Sequence, residues 1–301
     1  MFRKAVQKIC VLIVFCLYSV VYAEPPTEQQ SVPSGLSALD MRISSEIDAA
    51  DNPYAIAPHR PNYILPLAYD SSPTNKELDN VEIKFQTSFR VPIWTEILGE
   101  KSHLFFAYTN KSLWQAYNSD ISAPFRETNH EAELFLVFLT HYRFFNLNNR
   151  VAGIGFSHES NGQSGLLSRS WNRLYANFLF EQENNYYVGL KAWYRIPESK
   201  KEDPLDPKGD DNPSIERYLG NFELTVLKRL KKHSFSVKLH NNLRADNKGS
   251  IQLDYTYPIG GPFRGYVQIF NGYGESLIDY NHSTQRIGFG ILLGDWFQAN
   301  P

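Results

Sequence analysis

The stretch Val81-Glu-Ile-Lys-Phe-Gln-Thr-Ser-Phe-Arg-Val-Pro-Ile93 alternates almost without a break. Val81, Ile83, Phe85, Thr87, Phe89, Val91 and Ile93 fall on one side of an extended chain, and Glu82, Lys84, Gln86, Ser88 and Arg90 on the other. A period of two with one apolar and one charged face is a β-strand. The pattern returns at Tyr186, Val188, Leu190, Ala192 and Tyr194 against Lys191 and Arg195, at Phe235, Val237 and Leu239, and at Ile251, Leu253, Tyr255 and Tyr257. Period alone leaves open which face is inside: a soluble sandwich buries the apolar face, whereas a membrane barrel turns it to lipid.

The number of strands and their connections bear on that choice. Twelve strands are predicted, near 61–69, 79–94, 101–115, 127–143, 150–160, 171–182, 185–196, 217–230, 232–243, 249–258, 263–273 and 285–297. Bacterial membrane barrels have even counts, short periplasmic turns and longer external loops. Here 98–100, 144–149, 182–184, 231 and 259–262 are short, and 116–126, 161–170, 197–216 and 274–284 are long. The 14% aromatic content, with 18 Tyr and 20 Phe, also favours strands. The last strand closes on Trp296 and Phe297, as such barrels tend to, with Gln298 to Pro301 as an extension. Beyond the N-terminus no run nears 18 apolar residues, so no membrane-spanning helix is expected. The expected fold is all-β, a twelve-stranded antiparallel transmembrane β-barrel over residues 58–301.

Two segments precede it. Residues 1–23 read as a signal peptide: Arg3, Lys4 and Lys8 come before the apolar run 9–21, which ends in Val-Tyr-Ala23. Residues 24–57, polar and with Pro25, Pro26 and Pro33, read as a periplasmic lead-in with a short helix around 36–47. Cleavage after Ala23 would take the formal charge from −2 to −5, which argues against a nucleic-acid partner. It would also remove both cysteines, Cys10 and Cys16, and with them any disulfide or Cys-ligated metal.

Chemistry concentrates in residues 155–172, GFSHESNGQSGLLSRSWN. His158 and Ser160 continue the stripe Ala152, Ile154, Phe156, and Asn172 heads the stripe Leu174, Ala176, Phe178, Phe180 on the next strand. A base, a hydroxyl and an amide thus share the outward, apolar face, while Glu159 points inward. Serine becomes a nucleophile when an oriented base takes its proton. His158 and Ser160 at i and i+2 have Cβ atoms about 6.5–7 Å apart, within reach of a ring at a bent strand end. Asn172 is placed to accept from His158 through its amide oxygen. The competing reading is a polar belt at the membrane interface. Gly162 offers an unencumbered backbone N–H for a developing oxyanion. Ser168 and nearby carbonyls are oxygen donors of the kind Ca²⁺ accepts, or an ordinary loop hydroxyl and its neighbours.

At these residues the chain resembles the bacterial outer-membrane phospholipase A family. The resemblance is carried by His158-Glu-Ser160-Asn-Gly162, Ser168-Arg-Ser-Trp-Asn172-Arg-Leu-Tyr, Tyr108-Thr-Asn-Lys-Ser-Leu-Trp114, Pro124-Phe-Arg-Glu-Thr-Asn129 and Glu275-Ser-Leu-Ile-Asp-Tyr280. It spans nearly the whole chain after the signal and is weakest before Asn52. It implies a calcium-dependent outer-membrane acyl hydrolase, of A1 and A2 type with lysophospholipase activity, that cleaves glycerophospholipids and lysophospholipids as a homodimer. By position Ser160 is the nucleophile, His158 the base and Asn172 its orienting partner, with the Gly162 N–H and a calcium-bound water as oxyanion hole. Calcium is implied on Ser168 Oγ, the Gln163 carbonyl and the partner subunit's Ser122 carbonyl. Asn110 aligns with a polar residue of the family's dimer interface. Two departures stand out: Gln163 replaces a frequent Arg, harmless to a carbonyl ligand, and Gly165 replaces an Asp that in the family helps hold calcium in the monomer. The alternative function, from another class, is a passive outer-membrane channel.

Overall fold

The computed structural model describes residues 39, 42, 43, 56–99, 101–182 and 186–293. The predicted signal peptide, most of the lead-in and the terminal Trp296–Phe297 pair lie outside the described residues. Thirteen strands follow in order: β1 Asn62–Asp70, β2 Val81–Thr95, β3 Ser102–Trp114, β4 Phe125–Leu139, β5 Arg143–Phe144, β6 Leu147–Ser160, β7 Ser170–Gln182, β8 Tyr186–Arg195, β9 Phe222–Leu230, β10 His233–Asn241, β11 Gly249–Gly260, β12 Phe263–Tyr273 and β13 Ser283–Leu293. Strand β5 is a two-residue ladder in the turn before β6. The other twelve pair antiparallel with their neighbours, β4 pairs directly with β6, and β13 returns to β1 from Asn62↔Leu293 to Asp70↔Arg286, so the sheet closes on itself. Closure leaves no edge strand unpaired, as a wall surrounded by hydrocarbon requires.

The faces decide between barrel and sandwich. Glu82, Lys84 and Ser88 are each 2% exposed, whereas Leu67, Ile154 and Leu174 are 57%, 58% and 52% exposed. Apolar residues outside and charged ones inside invert the soluble order and match a wall meant for lipid. Long connections, including 71–80 and 242–248, gather at one end and the short turns 231–232 and 261–262 at the other. Two expected strands are corrected. The segment 217–230 enters the sheet only at Phe222, because Ile215–Leu219 forms a short helix, α1, whose Ile215 and Leu219 lie four apart on one helical face. Both pack in an apolar cluster with Leu277 and Tyr280, and Gly220, at φ 71, turns the chain into the strand. The strand expected to reach residue 143 ends at Leu139.

Inside, charges form paired clusters. Arg286 bonds Glu82 at 2.7 Å, Glu275 at 2.9 Å and Asp70 at 3.1 Å, and Lys84 reaches Glu275 at 2.8 Å. A second cluster lies under the residues singled out in the sequence: Arg173 bridges Glu131 at 2.7 Å and Glu159 at 2.9 Å, while Arg60 bonds Glu131 at 2.8 Å. His59 and Lys191 pair with Glu133. From the lead-in, Leu39 and Ile43 pack on Tyr187, Leu179 and Leu227. The lumen contains a cavity of about 440 Å³, lined by Arg60, Lys84, Glu131, Glu133 and Arg173 among others. The charged side chains that reach into the lumen weigh against the channel reading, since conduction needs an open aqueous path.

Removing one member of a buried ionic cluster strands its partners. Arg173→Ala is therefore expected to cost about 3–5 kcal/mol in urea unfolding of the detergent-solubilised barrel. A loss below about 1 kcal/mol, the value of an exposed pair, would show that this cluster does not hold the wall.

Candidate active site

Register across four strands assembles the outward patch. His158 lies opposite Asn172 and Ser160 opposite Ser170 across β6–β7, while His130 lies opposite Ser160 across β4–β6 and Asn110 opposite His130 across β3–β4. Residues directly opposite share a face, so all of these belong to the outer surface. Glu159 between them points inward and is held there by Arg173 and by the Trp171 Nε1–H, which donates at 2.9 Å. A slip of one residue would turn Glu159 to lipid and bury His158 and Ser160. Behind β6, Gly155 leaves space that Tyr175 and Phe135 occupy; a Cβ there would lie 2.6 Å from each of them.

His158 Nδ1 lies 2.9 Å from Asn172 Oδ1. An amide oxygen only accepts, so Nδ1 carries the proton and Nε2 is left as the basic nitrogen. Asn172 Nδ2 in turn donates to Glu198 Oε1 at 3.3 Å, in the loop after β8. Burial first, then the Asp210 carboxylate, hold the Glu198 carboxyl above its ordinary range, against the pull of Arg195 and the Asn172 amide. Ser160 shares the face of His158 two residues on. A His158–Ser160 bond is not among the hydrogen bonds of the described residues, and such bonds commonly tighten only around substrate.

The loop after Ser160 is pinned by Asn161, which is buried. Its Nδ2 donates to Leu167 O at 2.9 Å and to Glu127 Oε2 at 3.2 Å, and its Oδ1 accepts from Arg169 N at 2.9 Å and Gln163 N at 3.3 Å. Gly162 follows at φ 64, a left-handed conformation that glycine adopts without strain, and is exposed beside the serine. Gln163 is exposed as well. Ser168 Oγ donates to Asp211 Oδ2 at 2.7 Å, and Lys201 Nζ pairs with the same carboxylate. Ser122, at φ 63, caps the turn Ser119–Ile121 in the exposed loop between β3 and β4. Among the described residues no three His, Cys, Asp or Glu side chains converge as a metal cluster. The donors near Ser168 are hydroxyls, carbonyls and one carboxylate, all hard oxygens suited to a hard cation.

The structure thus joins His158 to Asn172 directly and places Ser160 and Gly162 beside them. It adds residues that sequence spacing does not reveal. Glu198 and Asp211 stand 26 and 43 residues from the groups they bond. His130 was accessible through strand parity, since it alternates with Thr128 and Ala132. It receives Tyr108 OH at 2.6 Å and lies 3.3 Å from Asn110 Nδ2, while Asn110 Oδ1 accepts from Ser112 at 3.0 Å.

An apolar-walled, charge-filled closed barrel carrying an imidazole, an amide and a hydroxyl on its lipid side has the make-up of a membrane-barrel hydrolase. A family model described as Phospholipase A1 matches residues 39–293, and the chain belongs to that family. Phospholipase A1 of Escherichia coli (strain K12) is 39% identical over 298 residues, 95% of this chain and 97% of the relative. A Salmonella typhi outer membrane phospholipase, solved as a dimer with bound calcium, superposes with a TM-score of 0.75 at 37% identity, over 83% of this chain and 97% of that one. An Escherichia coli outer membrane phospholipase A, solved with an active-site asparagine replaced by alanine, gives a TM-score of 0.75 at 38% identity, over 83% and 98%. The chain is accordingly an acyl hydrolase of phospholipids in the bacterial outer membrane.

Proposed function

We propose that Ser160, His158 and Asn172 perform the hydrolysis, with the Gly162 N–H as an oxyanion donor, in a calcium-dependent homodimer. On this reading the enzyme takes esters at both glycerol positions and lysophospholipids too. The observation that carries it is the 2.9 Å bond from His158 to Asn172, on the lipid side of the wall and beside a serine. Substrate esters sit near the headgroup boundary, so a site on the outer wall receives them laterally without extracting the lipid. The Escherichia coli relative's active-site asparagine and the calcium-bound Salmonella typhi dimer support the assignment.

In the first half-reaction Ser160 Oγ attacks the ester carbonyl while His158 Nε2 takes its proton. The imidazolium keeps its Nδ1–H on Asn172 Oδ1. The tetrahedral oxyanion accepts from Gly162 N–H. Collapse expels the glycerol oxygen, which takes the proton from His158, and leaves an acyl ester on Ser160. Water, giving a proton to His158, then attacks the acyl carbon; the bond to Ser160 Oγ breaks, His158 returns the proton to that oxygen, and the fatty acid departs. A neutral amide stabilises the imidazolium less than a carboxylate, but an ionised carboxylate facing hydrocarbon would be costly. The group proposed to bind calcium is Ser168 Oγ, the Gln163 carbonyl and the partner subunit's Ser122 carbonyl. Bound there, the cation would supply positive charge to offset that of the oxyanion.

Ser160→Ala and His158→Ala are expected to lower hydrolysis of phosphatidylethanolamine in mixed micelles about 1000-fold or more, and Asn172→Ala about 10–100-fold, with folding unchanged. Wild-type turnover by Ser160→Ala would end the assignment. A calcium titration tests the metal reading separately. Gly165 supplies no carboxylate and Lys201 already holds Asp211, so calcium is expected to bind a cross-linked dimer far better than the monomer. Gly165 has φ 61, which aspartate tolerates better than most residues, so Gly165→Asp is expected to raise monomer affinity. Equal affinity in dimer and monomer would contradict the shared site.

A further inference from the structure

We propose that Glu198 is a positioning residue for hydrolysis: by accepting from Asn172 Nδ2 it decides which end of the amide faces His158, and therefore which ring nitrogen keeps its proton. The proposal rests on the triad reading above. The two ends of an asparagine amide have nearly the same shape, so packing alone does not choose between them. With Oδ1 toward His158, the ring holds its proton at Nδ1 and presents a bare Nε2 to take the serine proton. With the amide turned over, Nδ2 would donate to Nδ1, the ring proton would sit on Nε2, and the ring would lose its ability to accept from Ser160. An aspartate, whose two oxygens are alike, needs no such device; an asparagine does.

The structure holds the productive orientation from both ends, His158 Nδ1 to Oδ1 at 2.9 Å and Nδ2 to Glu198 Oε1 at 3.3 Å. Turning the amide over would set Oδ1 against the carboxylate, acceptor against acceptor. The loop that carries Glu198 is anchored for this role. Ile196 N donates to Asn172 O at 2.8 Å, two residues before Glu198, and Asp210 N donates to Ser199 O at 2.8 Å just after it. Arg195 at the end of β8 clamps Asp210 at 2.5 Å, tying the returning limb to the wall.

Steady-state kinetics in mixed micelles test the idea with E198Q, E198A, N172A and the double variants. Glutamine both donates and accepts, so E198Q keeps the size of the side chain but is indifferent to the amide's orientation. E198Q and E198A are expected to lower kcat about five- to tenfold at unchanged KM, and to remove nothing further when added to N172A, because Glu198 acts only through that amide. Wild-type kcat in both single variants, a loss confined to KM, or a full additional loss in the N172A background would overturn the proposal. Folding of each variant is read from heat-dependent electrophoretic mobility, and E198A serves if E198Q does not assemble. S160A separates the two readings: if it hydrolyses like wild type the triad itself fails, whereas an inactive S160A with additive E198Q removes only Glu198.

Discussion

Arg173, lodged between Glu131 and Glu159 inside the barrel, is the interaction on which the rest depends. A buried carboxylate must be paired, and each of these finds its partner only when its own strand presents it inward. Because strand side chains alternate, fixing Glu159 inside places His158 and Ser160 outside, and fixing Arg173 inside does the same for Asn172. The ionic cluster thereby sets the parity of both strands that carry the site. One register serves both faces: the pairs that close the interior also turn His158, Ser160 and Asn172 to the outer surface.

The membrane side shapes the site in turn. Polar side chains exposed to hydrocarbon are least costly when uncharged, and the hydroxyl of Ser160 and the amide of Asn172 meet that condition. Charge is kept one step back. Glu198 and Asp211 stand in the loop beyond β8, at the headgroup end, where they touch Asn172 and Ser168 respectively. Asn161 closes the loop on itself through three hydrogen bonds, to Leu167, Gln163 and Arg169, and ties it to Glu127 of β4 through a fourth, which places Gly162 beside Ser160.

Much of this was legible in the sequence because period two is unambiguous about faces. The strand Val81–Thr95 announced an apolar and a charged side, and the same parity put Glu159 inward and His158, Ser160 and Asn172 outward. What parity does not give is which face is wet; burial of Glu82 and Lys84 settled that. The start of β9 was misread because 215–219 satisfies a helical spacing that tertiary packing against Leu277 and Tyr280 selects. Glu198 and Asp211 were invisible for a different reason. They sit in a loop without periodicity, which the β7–β8 pairing, Arg173 opposite Arg195, brings beside the start of β7.

The central claim, that the nucleophile faces the bilayer, is tested most directly by covalent labelling. A long-chain alkyl fluorophosphonate partitioned into outer-membrane vesicles should modify the reactive serine from the lipid side, and peptide mass spectrometry then locates the adduct. The account predicts an adduct on Ser160 that disappears in His158→Ala. An adduct on a different serine, or one on Ser160 that persists undiminished without His158, would contradict it.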